Sequence, residues 1–368
     1  YTRNNSDKIL NVGLMFATNS GTIQNCSVAS LANETASIVL NSVESETASV
    51  DLKGKKKSCN FGGLVAYNTG EIVGNFNFLS NNISGVINLK IVDNMAGTHI
   101  LGGLVAQNSG TILGIKVDAN ITSTAIIVGG LVGKFVSENN ENNENKEYKN
   151  LYFSGNIIAS NADFVGGIAG VVETIASFNL VFAEFVDSAD YLETSKAVGG
   201  LIGGIAENAE TSIAFSYSKG FATNAEYNLK GNIVGGLVGE TKAVLSLMAV
   251  YSDVKLALYN ENSVGGAFVG NMNNDIEVEN AYSYSTGSQS LVAKRESGKL
   301  TLQKVYSTTC RQIQEQQNGD EFKYFFDKTN YINAISQKYE ESGKTDQFVF
   351  NDDKYFRYSS LENGGRPY

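Results

Sequence analysis

Gly62–Asn75 reads GGLVAYNTGEIVGN, and Gly102–Ile115 reads GGLVAQNSGTILGI. A glycine pair, two branched apolar residues and Asn-x-Gly suit either a phosphate-cradling loop or one unit of a repeat. The rest of the chain decides between them. The motif returns at Val128–Gly133, Val165–Gly170, Val198–Gly203, Val234–Gly239 and Val264–Gly270, with a decayed first copy at Gly13–Gly21. The second glycines (Gly63, Gly103, Gly130, Gly167, Gly200, Gly236 and Gly266) are spaced 40, 27, 37, 33, 36 and 30 residues apart. A phosphate loop needs one copy between a strand and a helix, so repetition without a helical pattern rejects it.

A constant motif at variable spacing is what stacked β-coils produce, because strand register must repeat while turns lengthen freely. Short runs such as SIVL, VINLKIV, LYFSGNII and SIAFSYS, bounded by Gly, Asn and Ser, read as strands and turns. The expected fold is all-β: a right-handed parallel β-helix over residues 1–310 with an α+β or β cap, or a junction to another module, over 311–368. At roughly 20–30 residues per coil this predicts about a dozen coils and a rod on the order of 60 Å long. A polar, low-complexity stretch at 139–150 reads as an insertion looping out of it.

Composition agrees. One Pro in 368 residues favours long backbone ladders. A net charge of −10 argues against nucleic acid as a partner, and the run Lys53–Lys57 reads as a solvated loop tip. No stretch approaches the ~20 apolar residues of a membrane-spanning helix. Opening on Tyr-Thr-Arg, the chain reads as a piece of a longer protein. Cys26, Cys59 and Cys310 make neither a disulfide framework nor a zinc site. They read as three unrelated thiols, with a Cys26–Cys59 bridge the alternative.

Each motif position has a physical task. The glycine pair suits a bend or a close backbone approach, and Asn19, Asn68 and Asn108 suit turns whose amides can form a ladder. In the second half of each repeat Tyr217, Tyr251, Tyr282 and Tyr306 should stack as an aromatic column, read first as structural and alternatively as a platform for sugar rings. Consecutive strand residues face opposite ways. Therefore Leu64/Val65 and their equivalents either turn inward together at a corner, or Val65, Val105, Val132, Ile202 and Val238 form an outward contact stripe for another chain.

GGLVG followed by N-x-G and a short YS strand resembles the GLUG repeat of surface-exposed and secreted proteins. The likeness covers about residues 10–310, with Leu14 replacing the second Gly in the first copy and N-x-G lost from Gly129 onward. The resemblance implies a parallel β-helix in a surface or extracellular setting and no catalytic residues.

Candidate chemistry is sparse. His99 is the single histidine and reads as a satisfied structural residue. No spacing suggests a metal site or a cofactor, and the stretches at 273–277 and 351–353 lack the Gly and Glu of a calcium loop. Glu173, Glu207 and Glu240 scatter through presumed turns and assemble no cleft. Sequons at Asn4, Asn25, Asn33, Asn82 and Asn120 are no more numerous than chance, though their placement suggests a glycan stripe if the chain is secreted by a eukaryote. The expected function is a non-enzymatic adhesive or filament-forming rod, extracellular or on a cell surface, whose partners are other protein chains or glycans. The alternatives are a carbohydrate-binding or carbohydrate-active β-helix and an intracellular scaffold.

Overall fold

A computed structural model describes residues 10–26, 36–41, 59–76, 86–94, 98–137, 145–187, 190–220, 224–288 and 290–307. The described residues form strands joined by turns, with no helix among them, in two long sheets whose pairings are parallel. The fold is a parallel β-helix. The cap expected over 311–368 and the Lys53–Lys57 run lie outside the described residues.

One coil shows the plan. His99–Gly102 leads into a bend at Gly103 and Leu104, Val105–Asn108 follows, and Ser109-Gly110 turns the chain into Thr111–Thr122. The first two strands belong to one sheet and the third to the other. The next coil repeats the register, Ile127 on Ile100 and Val132 on Val105. Motif spacing is therefore coil length, 27–40 residues between Gly63 and Gly266, while the first coil, from Leu10 to Cys59, takes 49. Nine coils fill the described residues, beginning with the strands that start at Leu10, Cys59, His99, Ile127, Phe164, Ala197, Ile233, Val264 and Ser290. At ~4.8 Å per coil the rod is about 40 Å long, shorter than expected because each coil uses more chain. The expected insertion is also shorter, since Lys146–Ile158 is already a strand.

The bend settles the paired apolar residues. Leu64 and Val65 both donate their N–H to the Leu104 carbonyl, at 2.9 and 3.1 Å, and Leu104 and Val105 both donate to Leu131. Successive N–H groups aimed at one neighbour break the alternation of a strand, so both side chains turn the same way. Leu64, Leu104, Leu131, Leu201 and Leu237 are buried, and so are Val65, Val105, Val132, Ile202 and Val238, each at 1% exposure or less. The outward contact stripe is thereby corrected. These residues are the core, and none is offered to a partner.

The motif asparagines form the expected ladder. Asn19 Nδ2 donates to Asn68 Oδ1 and Asn68 Nδ2 to Asn108 Oδ1, each at 2.7 Å. The next coils replace the amide with Phe135 and then Val172 in register. There Phe135, Tyr148 and Phe178 fill the column with rings 4.3–5.4 Å apart. Asn68 is fully buried, so Asn68→Ala strands the Asn108 acceptor. The Asn19 amide keeps the Gly21 and Glu71 carbonyls, so the cost falls on the buried Asn108 oxygen and the lost Asn68 bonds. We expect a loss of about 2 kcal/mol in urea unfolding; an unchanged midpoint would mean that the ladder contributes nothing.

A second corner carries backbone in the left-handed region. Gly114 (φ +64°), Asn150 (55°), Leu180 (55°), Phe215 (51°), Ala249 (52°) and Asn280 (51°) occupy successive coils. The conformation costs about 1–2 kcal/mol at a residue with a Cβ. Each corner is clamped by ladder bonds on both sides, such as Phe215 N–H to Met248 O at 3.1 Å and Ala249 N–H to Glu279 O at 2.9 Å.

Candidate binding surfaces

The strand after that corner alternates cleanly. Leu151 and Phe153, Val181 and Ala183, and Ser216 and Ser218 face the interior. Tyr152, Phe182, Tyr217, Tyr251 and Tyr282 are consecutive in register on the opposite side. The recurrent Tyr-Ser pair thus has a division of labour. Tyrosine stacks outside, while the serine hydroxyl turns inward beneath the glycine bend, Ser218 donating to the Gly236 carbonyl and Ser252 pairing with Ser285 at 2.7 Å.

The aromatic column is real from Phe182 through Tyr282. Ring centroids lie 4.7 Å apart for Phe182–Tyr217, 6.3 Å for Tyr217–Tyr251 and 5.5 Å for Tyr251–Tyr282. Tyr306 continues the register, and its side chain lies outside the described residues. Tyr217, Tyr251 and Tyr282 are only 6%, 2% and 6% exposed. Their faces are spent on one another, so the column offers no platform for a sugar.

Two residues further along, a row of polar groups runs across five coils: Asp118, Ser154, Glu184, Lys219 and Asp253. Glu184 accepts hydrogen bonds from Tyr152 (2.5 Å) and Tyr217, one on each oxygen. Asp253 accepts from Tyr251 at 2.7 Å, and Asp118 pairs with Lys116 at 3.2 Å. Burial pushes the Asp118 carboxyl up against the pull of Lys116. It pushes the Lys219 ammonium down, with Asp253 and Glu184 restoring part of the shift. Burial and the Glu184 charge hold the Tyr152 and Tyr217 phenols well above the usual range. No sequence signal was taken for this row, although it sits two residues after each ring in YSK, YSD and FAE.

An accessible cluster lies where Leu192–Glu193, Leu229–Gly231 and Leu256–Leu258 stack. Glu193 accepts from Tyr227 at 2.9 Å and from Tyr259, and pairs with Lys230 at 3.2 Å. The Lys230 ammonium lies 5.0 and 4.9 Å from the centroids of the Tyr227 and Tyr259 rings, and Tyr191 packs edge-on against Tyr227 at 5.1 Å. Burial opposes the charged Glu193 carboxylate, yet the bonds from Tyr259, Tyr227 and Lys230 hold it below the ordinary carboxylate range. Tyr259 is 37% exposed and its neighbour Leu258 39%.

On the first sheet the structure corrects the expectation about the glutamates. Glu173, Glu207 and Glu240 come from three successive coils and line one cleft of about 400 Å³ together with Lys242, Ile127, Phe164, Val171 and the backbone of Gly204–Ala206. Sequence spacing hid this because the three occupy different positions of their coils: Glu240 is in register with Gly204 and Val171, whereas Glu173 and Glu207 lie just beyond Val172 and Ile205.

The remaining candidates are structural. His99 Nε2 lies 2.6 Å from Asp93 Oδ2, and Ser123 Oγ donates to the same oxygen at 2.5 Å. The carboxylate sits between histidine and serine, so the histidine is not placed to activate the hydroxyl as a triad requires. All three are buried. Cys26 is a free thiol packed against the core, so the Cys26–Cys59 bridge is not formed. Among the described residues no group of His, Cys, Asp or Glu could hold a metal, and no helix is long and apolar enough to cross a membrane. Asn25 and Asn120 are exposed; Asn4, Asn33 and Asn82 lie outside the described residues.

Comparison of the chain with protein-family models, curated proteins and solved structures gives no match.

Proposed function

We propose that the chain is a non-enzymatic structural or adhesive rod, displayed on a cell surface or built into an extracellular filament, that works through lateral contacts with other chains. The observation that supports this is the outer network of the second sheet. The Glu184 oxygens are each taken by a tyrosine, and Asp253 and Asp118 are bonded to Tyr251 and Lys116. The Glu184 bonds tie three coils together, the Asp253 and Asp118 bonds stay within one strand, and both leave little for proton transfer to a substrate. The accessible Tyr191/Tyr227/Tyr259 cluster is the surface suited to contact, since tyrosine and its apolar neighbours give large area at small entropic cost.

A second reading has its own observation. A carboxylate, an amine and a carboxylate in adjacent coils, at Glu184, Lys219 and Asp253, are the groups that acid–base chemistry on a polysaccharide requires. Sedimentation and negative-stain imaging over a concentration series, beside a reducing-end and unsaturation assay on a polysaccharide panel, separate the two. The rod predicts concentration-dependent lateral assembly that Tyr259→Ala weakens, and no turnover. Turnover abolished by Glu184→Gln in a folded variant would replace the first reading by the second.

A further inference from the structure

The cleft on the first sheet lies beside the one position of its column that carries no side chain. The outward column that follows the glycine bend reads, coil by coil, Tyr67, Gln107, Lys134, Val171, Gly204, Glu240, Asn271 and Lys294. Gly204 alone in that column has no side chain. The outward column before the bend narrows at the same coil. Ile100, Ile127 and Phe164 are followed by Ala197 and then Ile233. Two small residues in one coil, between coils that carry large ones, leave room for the Phe164 ring to lie over Gly204, where it lines the cleft. The Phe164 ring lies against the Gly204 backbone, so that a Cβ there would stand 2.5 Å from its Cδ1. Phe164, Ile127 and Val171 supply an apolar floor.

The mouth is charged. Glu173 is held by Lys134 at 2.6 Å. Glu240 accepts from Asn271 at 3.2 Å and Asn273 at 3.4 Å, which leaves its negative charge uncancelled. Glu207 and Lys242 are both exposed at the rim. Three carboxylates against Lys134 and Lys242 leave one negative charge in excess, on a chain of net charge −10. An apolar floor with an aromatic ring beneath an acidic rim is complementary to a cation on a hydrocarbon stem.

We propose that the Gly204 cleft is a binding site for an alkyl ammonium or alkyl guanidinium group, its stem on Phe164, Ile127 and Val171 and its charge between Glu207 and Glu240. The same chemistry is carried by a free amine and by a lysine or arginine side chain of a protein partner. This site lies on the other sheet from the tyrosine network and goes beyond the rod reading.

The test is a ligand-observed and 1H–15N shift titration of the full chain with n-butylammonium, n-butylguanidinium, n-butanol and butyrate, and with a capped tetrapeptide bearing one lysine. The two cations should bind at millimolar concentration or better and shift resonances of residues 204–207. Butanol and butyrate should bind at least tenfold more weakly. Gly204→Val needs the room that the Phe164 ring occupies, displaces that ring from the floor and should abolish binding, while Glu207→Gln, at an exposed position, should weaken it severalfold without touching the fold. A peptide binding over tenfold tighter than butylammonium assigns the site to a protein partner; equal binding assigns it to a small cation. Butanol binding as well as the cations, butyrate binding better, no binding at all, or binding unchanged in Glu207→Gln would each overturn the proposal.

Discussion

Gly130→Val is expected to abolish folding of the rod. A Cβ at Gly130 would stand 2.2 Å from the Gly167 carbonyl oxygen and 2.3 Å from Cδ2 of Phe153. The first obstacle is backbone of the next coil, tied by Gly130 N–H to Gly166 O and Val132 N–H to Ile168 O, both 2.9 Å. Moving it opens the ladder. The second is a fully buried ring in the centre of the core, which has no room to retreat because the interior is close-packed. Overpacking combined with lost ladder bonds puts the cost above about 4 kcal/mol. In a solenoid, where each coil is held only by its neighbours, a break in the middle uncouples the two halves. Soluble yield, circular dichroism and the urea midpoint report it. Gly21→Ala is the control: nothing lies within 4 Å of its Cβ, and its effect should stay within about 0.5 kcal/mol. A folded Gly130→Val protein with an unshifted midpoint would refute this account of the bend.

Why the bend was legible and much of the surface was not follows from what each position has to satisfy. Gly63, Gly103 and Gly130 meet the same carbonyl of the next coil every time, so the residue type is dictated and the motif survives changes of spacing. The asparagine ladder was legible for the same reason as far as Asn108. Beyond it Phe135 fills the same space with apolar surface, and the signal ends although the turn persists. The left-handed corner was invisible, because Leu180, Phe215 and Ala249 hold φ values of 51–55° without Gly or Asn to announce them. Tertiary clamping there overrides local preference. Outward positions are set coil by coil and follow no motif. Glu173, Glu207 and Glu240 lie 34 and 33 residues apart in the chain yet share one cleft. Likewise Asp118, Glu184 and Asp253 became a row only once the register was known.

Above pH 10 the protein should unfold steeply, through its buried phenols. Tyr148, Tyr152 and Tyr217 are held well above the ordinary phenol value of about 10, in each case first by burial. Tyr152 and Tyr217 are raised further by the charge and hydrogen bond of Glu184, while the Asn108 hydrogen bond pulls Tyr148 slightly back. A folded-state pKa above the unfolded one means that stabilisation is complete below pH 10 and drains away as pH rises beyond it, because only the unfolded chain loses the proton. Each such phenol costs about 1.4 kcal/mol per pH unit, and the three together about 4. Lys219 has the opposite sign: its lowered pKa makes stability rise with pH up to the ordinary lysine value of about 10.4, after which it adds nothing. A domain with about 5–15 kcal/mol in hand should therefore hold its stability to about pH 10 and unfold within roughly two to three units above it. Urea titrations at stepped pH give the slope, and phenolate absorbance should rise cooperatively with the loss of strand signal. Tyr217→Phe removes one proton from that slope, and it leaves Glu184 bonded to Tyr152 alone. All 18 tyrosines ionising smoothly near pH 10 in a chain that stays folded would show that the column is open to water, and the closed outer network would fall with it.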